Sequence, residues 1–277
     1  MADRAELIRR LEQVKYYRLS AYWHPFRQPG GDGLKPGTTL DAIWDRYVFD
    51  RQLRVLVMDA IERVEVAVKT RLANHLALAH GPFAHLDRRN LPNLQPGDHR
   101  RLLDKIQKEE DRSKESFVQH FHTKYTSETN LPLWMAIEVM DFGTLLTLFR
   151  GSDQYAKRTV ANAFGLQAGV FESWLVSLNY LRNLCAHHGR LWNRTLPVTP
   201  ALPNPANRPE FHAPVAVPTK RTFTALTILR YLLRFIAPQS GWPRRLEDLL
   251  SLKHPGIPID QMGFPRNWKD CPVWTTP

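Results

Sequence analysis

The segment from about Asp50 to His80 most constrains the fold. Its Leu53, Leu56, Val57, Ile61, Val64 and Val68 recur on one face of a 3.6-residue period until Gly81-Pro82 stops the pattern. A helix of that length with one buried stripe needs other elements to cover it. Helical periodicity dominates elsewhere too, and strand-like alternation is nearly absent, so the expected class is all-α. Glu62 and Glu65 share the long helix with Arg63 and Lys69, and they read as solvated or ion-paired carboxylates rather than an acid–base pair.

Around this helix, Ala5 to Val14 and Tyr16 to Tyr22 read as helices, residues 27 to 38 as a loop, and Thr38 or Thr39 as the N-cap of a helix toward Phe49. Further helices are expected from Gly97 to Arg112, Ser113 to Tyr125, Leu133 to Phe149 with a break at Phe142-Gly143, and 167–188. Glycine at that break would allow close helix approach. Seven prolines between 195 and 218 make that stretch an extended, semi-rigid connection. Helices from Lys220 to Ile236 and from Trp242 to Leu252 follow, and a Pro-rich tail is anchored by Met262, Phe264 and Trp268. The 277 residues contain no internal repeat and are expected to form one domain, with C-terminal helices and tail over 219–277.

Chemistry concentrates in Arg182-Asn183-Leu184-Cys185-Ala186-His187-His188. With Arg182 at zero and about 100° per residue, Trp174, Leu178, Leu181 and Cys185 fall between roughly 260° and 320°, a core-facing stripe. Asn179, Arg182, Asn183, Ala186, His187 and Arg190 fall between roughly 0° and 140°, provided the helix runs past Gly189, while His188 lies nearer the stripe. RNA carries its own nucleophile in the 2′-hydroxyl. An imidazole at His187 can take or give the proton, a guanidinium at Arg182 can hold the phosphate as charge builds, and Asn183 can orient either. The alternative is a helix end decorated with cations that favour the macrodipole and the free carbonyls. Asn179, His188, Arg190 and Arg194 are the expected substrate-binding neighbours.

The formal charge of +11 points toward a polyanionic partner. From Arg182 onward thirteen Lys and Arg face five Asp and Glu, so the excess is expected to form an RNA-attracting surface after the motif. Two cysteines and no secretory leader imply no disulfide framework and a cytoplasmic home. The longest apolar stretch, 222–238, is interrupted by Arg230 and Arg234 and is shorter than a membrane span, so no membrane is expected. The histidines at 75, 80, 85, 120 and 122 lack partners at zinc-site spacing, so neither a metal nor another cofactor is expected. No phosphate-cradling glycine loop and no GxSxG elbow is present.

The motif resembles the signature of HEPN ribonuclease domains, Arg, a polar residue, three residues, His. The longer run from Ser173-Trp174-Leu175 to Trp192-Asn193-Arg194 is similar to the Abi-like abortive-infection family. The resemblance extends through Tyr17 to Tyr22 with Pro25-Phe26, Tyr47 to Arg51 with Leu53-Arg54, Ile61 to Glu65, Trp134, Glu138, Phe142-Gly143, and Met262 to Pro265 with Trp268. It implies an all-α HEPN-type bundle with added helices and a Pro-rich C-terminal extension. It further implies a metal-independent endoribonuclease in phage defence, with Arg182, Asn183 and His187 as catalytic residues. A homodimer pairing two motif helices is the implied assembly, with a small RNA or protein antitoxin as possible partner. A non-catalytic RNA- or antitoxin-binding module is the alternative.

Overall fold

In the computed structural model of the chain, residues 2–31 and 33–275 are described, with side chains from residue 4 onward. Two short helices, α1 (Ala2–Val14) and α2 (Tyr16–Trp23), lead to α3 (Leu40–His80), which runs without interruption for 41 residues. The helix toward Phe49 and the helix from Asp50 are therefore one. Thr39 starts it, its Oγ1 accepting the Ala42 N–H at 3.1 Å, and Gly81 ends it at a φ of 87° that only glycine adopts without strain.

The helices α4 (Pro96–Arg112), α5 (Ser116–Lys124), α6 (Leu133–Val139), α7 (Phe142–Gly151), α8 (Gln154–Asn162) and α9 (Ala168–Ala186) follow in order. The break before Phe142 arises because Asp141 caps α7, accepting the Thr144 N–H at 2.7 Å, and Asp153 caps α8 in the same way. The glycine that permits close approach is not Gly143. A Cβ on Gly143 would meet only ordinary contacts, whereas one on Gly151 would lie 2.7 Å from Leu94 Cγ. The proline-rich stretch carries a single short helical turn, Pro209–Phe211, and lies over α9, with Trp174 Nε1 donating to the Ala201 carbonyl at 2.7 Å.

Helices α10 (Thr222–Ile236), α11 (Trp242–Asp248) and α12 (Pro272–Thr275) complete the chain. Among the described residues there is no strand, only two isolated bridges. The all-α class thus holds. The core is one contiguous cluster of buried side chains, with α3 at its axis packed against α2, α6, α8, α9, α10 and α11. Helix α10 is buried on every side from Thr222 to Leu233. Met262, Phe264 and Trp268 are buried in this core, as anchors of the tail, and Trp274 Nε1 donates to Thr227 Oγ1 at 3.0 Å. Glu65 pairs with Lys69 at 3.1 Å and Glu62 is exposed, which fits their reading as structural charges. No helix among the described residues is long and apolar enough to cross a membrane.

Candidate active site

Helix α9 buries Trp174, Leu178, Leu181 and Cys185, so its opposite side is turned outward by the 3.6-residue period. Arg182 is half-buried there, and Asn183 and His187 are exposed. Arg182 Nη1 donates to Asn183 Oδ1 at 3.3 Å. The amide thus steadies the guanidinium, and its Nδ2 is left outside that bond. His187 follows Asn183 by one turn, its N–H donating to the Asn183 carbonyl at 3.0 Å. These three residues are brought together.

The motif helix stops two residues earlier than its periodicity suggests. His187 is the cap, and Gly189 and His188 donate backbone N–H groups to the carbonyls of Leu184 (2.8 Å) and Cys185 (3.0 Å), the paired bonds of a Schellman ending. His188 occupies the left-handed position at φ 58°, where glycine is usual. The next residue must be glycine, because a Cβ on Gly189 would lie 2.3 Å from Leu184 Cδ1.

This ending redirects the neighbours of the motif. Arg190 does not share the polar arc; its Nη1 donates to the Ala21 carbonyl at 2.6 Å. Arg194 donates to the Tyr180 hydroxyl at 3.1 Å and to the Arg190 carbonyl at 3.4 Å. Both arginines tie the chain after the motif to the rest of the fold. Asn179 is half-buried, with its Oδ1 enclosed and without a hydrogen-bond donor. His188 is exposed and lines a cleft of about 920 Å³ between the α1–α2 joint and α3.

Behind the turn lies a cluster that sequence reading passed over. Asp50, fully buried on α3, accepts the Tyr22 hydroxyl at 2.5 Å and the backbone N–H groups of Leu191 (3.0 Å) and Trp192 (2.6 Å), and it pairs with Arg54. Arg54 Nη1 also reaches the Gly189 carbonyl at 3.4 Å, and Arg18 Nη1 donates to the His188 carbonyl at 2.9 Å. Burial pushes the Asp50 carboxyl above its ordinary range, opposed by Arg54, the Tyr22 hydroxyl and the two amides. Burial, and then the Asp50 charge, raises the Tyr22 phenol. The available signal was an acid at Asp50 and a base at Arg54, one turn apart within an apolar stripe, where unpaired charges are excluded. Cys185 is no nucleophile, since burial pushes its thiol up to about 12. Among the described residues no group of three or more His, Cys, Asp or Glu could hold a metal.

A helical chain of this order, with Gly189, Leu191 and Trp192 latched onto α3 just after the motif, matches the Abi-like protein family over residues 9–193. The chain belongs to that family. The matched region ends one residue beyond the Trp192 amide held by Asp50. No curated protein and no solved structure matches the chain.

Proposed function

We propose that this protein is a metal-independent endoribonuclease of the HEPN type, acting in abortive-infection defence against phage or as the toxin of a toxin–antitoxin pair. The observation that carries the reading is the exposed constellation at the end of α9, where Arg182 is held by Asn183 one turn from His187. His187 takes the proton of the RNA 2′-hydroxyl as that oxygen attacks phosphorus, and Arg182 stabilises the charge that builds on the phosphate. The bond to the 5′ oxygen breaks and a proton is returned to it, leaving a 2′,3′-cyclic phosphate and a 5′-hydroxyl. One chain supplies one such histidine, whereas the reaction profits from an acid and a base on opposite sides of the phosphate. A two-fold homodimer facing two α9 ends would supply both.

A second reading, a non-catalytic module that binds RNA or an antitoxin (a small RNA or a protein), is favoured by one observation. Arg190 and Arg194 are committed to Ala21 and Tyr180, which removes two of the expected substrate contacts. The two readings separate when labelled RNA is incubated with the protein in excess EDTA beside an Arg182→Ala, His187→Ala double variant. Cleavage that persists in chelator and disappears in the variant supports the nuclease. RNA binding without cleavage by the wild type supports the module.

A further inference from the structure

The cleft beside the motif has a composition of its own. Its mouth carries Lys15, Arg18, Arg51 and His188, Arg54 lies deeper, and no carboxylate lines it. Arg54 is neutralised by Asp50 behind it, and Arg18 uses one N–H on the His188 carbonyl. Among the described residues the Lys15 and Arg51 side chains, both exposed, make no hydrogen bond or ion pair. The charges of Lys15, Arg18 and Arg51, converging on one concavity without a carboxylate among its lining residues, repel one another, and an anion between them relieves that repulsion.

The walls are not those of a plain anion site. Val14, Val55 and Met58 supply apolar surface, and Tyr17 and Tyr47 supply aromatic rings, Tyr17 being 87% exposed. Exposed aromatics beside cations are the combination on which nucleobases stack while their phosphates are neutralised. The volume of about 920 Å³ lies within the few-hundred to about 1,000 Å³ range of small-molecule sites.

Backbone geometry singles out the same place. Among the described residues three non-glycine residues have positive φ, Lys15 (59°), His188 (58°) and Asn193 (49°), and the first two line this cleft from opposite elements. Lys15, with ψ 155°, sits in a region that is almost exclusively glycine's, a conformation that costs a side-chain-bearing residue stability. Such conformations persist where the surroundings enforce them, and they cluster at active sites, ligand clamps and switch regions.

The geometry points to a nucleotide-binding site in this cleft, distinct from the Arg182–His187 constellation, taking a nucleoside phosphate with its phosphates toward Lys15 and Arg51 and its base against Tyr17. The nucleotide arrives either free or as a unit of an RNA strand. The site does not depend on cleavage at His187 and is tested without it.

The test is equilibrium dialysis of the His187→Ala protein against ATP, a short single-stranded RNA, adenosine and inorganic phosphate, repeated with Lys15→Glu, Arg51→Glu added and, separately, Tyr17→Ala. All three substituted residues are exposed, so the fold is unaffected. The expected result is saturable binding of ATP or of the RNA, weakened about tenfold or more by the double charge reversal and severalfold by Tyr17→Ala, as loss of phosphate neutralisation and of stacking requires. Saturation by ATP identifies a free nucleotide. A fall in RNA affinity alone identifies a nucleotide within a strand. The proposal is overturned if neither ligand binds, if the charge-reversed protein binds both as before, or if inorganic phosphate competes as well as ATP. Each of these can occur whether or not the wild type cleaves RNA, so the two readings fail separately.

Discussion

Basic side chains serve opposite purposes in the two ends of this molecule. In the C-terminal part, Arg208 donates to the Gly165 carbonyl, Arg221 to the Gln261 carbonyl, and Arg234 to the carbonyls of Pro272 (2.7 Å) and Val273 (2.6 Å), while Arg230 is buried. A guanidinium offers five donors in a fixed fork, which suits a segment whose prolines and short turns leave carbonyls unpaired. At the cleft, by contrast, Lys15 and Arg51 point into an opening that holds no acid. Arg208, Arg221 and Arg234 are thus tied to carbonyls within the fold and Arg230 is buried, whereas Arg245, Lys253, Arg266 and Lys269 are exposed. Lys220 and Arg244 are exposed. The division follows the family boundary: every cleft residue lies within residues 9–193, and Arg208, Arg221 and Arg234 lie beyond it.

Asp50 joins the cleft to the turn after the motif, since it holds Arg54 and Tyr22 on one side and the Leu191 and Trp192 amides on the other. Removing it strands a buried guanidinium and two buried N–H groups. We expect Asp50→Ala to lower unfolding free energy by about 3–5 kcal/mol in urea titrations. A loss below about 1 kcal/mol would mean that the turn after the motif is held by Arg18 and Arg190 instead.

His85 tests whether a buried base here must be neutral. It is 1% exposed, and burial, followed by the charge of His99, lowers its pKa from 6.5 to about 4. The folded ring stays neutral while the unfolded ring takes a proton below its own pKa. Its stabilising contribution is therefore complete above pH 6.5, declines as pH falls, and is gone below about 4. The loss amounts to about 3 kcal/mol. Urea midpoints of wild type and His85→Gln should converge across that window, and parallel curves would exclude His85 as the source. Next in size, Arg234→Met leaves two carbonyls without their charged donor and should lower stability by about 1.5–3 kcal/mol. RNA affinity should be unaltered, and a parallel fall in affinity would place Arg234 in the binding surface.

The legible parts of this fold are those where one local rule decides. The stripe on α3, the cap at Thr39 and the extended proline stretch follow from periodicity, capping and the missing proline N–H. The Arg182, Asn183 and His187 grouping follows from the helical repeat alone. What escaped the sequence is set by contacts distant along the chain. The course of the chain after α9 depends on Asp50, 141 residues from Leu191. The fate of Arg190 depends on Ala21. Nothing within either segment announces those partners.

The smallest effect separates the two populations of cations most cleanly. Lys15→Gln and Arg51→Gln remove exposed groups without partners, so stability should stay within about 0.5 kcal/mol of wild type. If these two residues neutralise phosphates, each contributes about 0.7 to the slope of log affinity against log salt for single-stranded RNA, and the double variant should flatten it by about 1.4. Arg208→Gln and Arg221→Gln should destabilise the fold and leave the slope unchanged, since their guanidiniums are bonded to carbonyls. Affinities measured over a salt series for both pairs decide the matter. A slope that responds to the second pair and not to the first would reverse the assignment, placing the polyanion on the C-terminal part and leaving the cleft to another ligand.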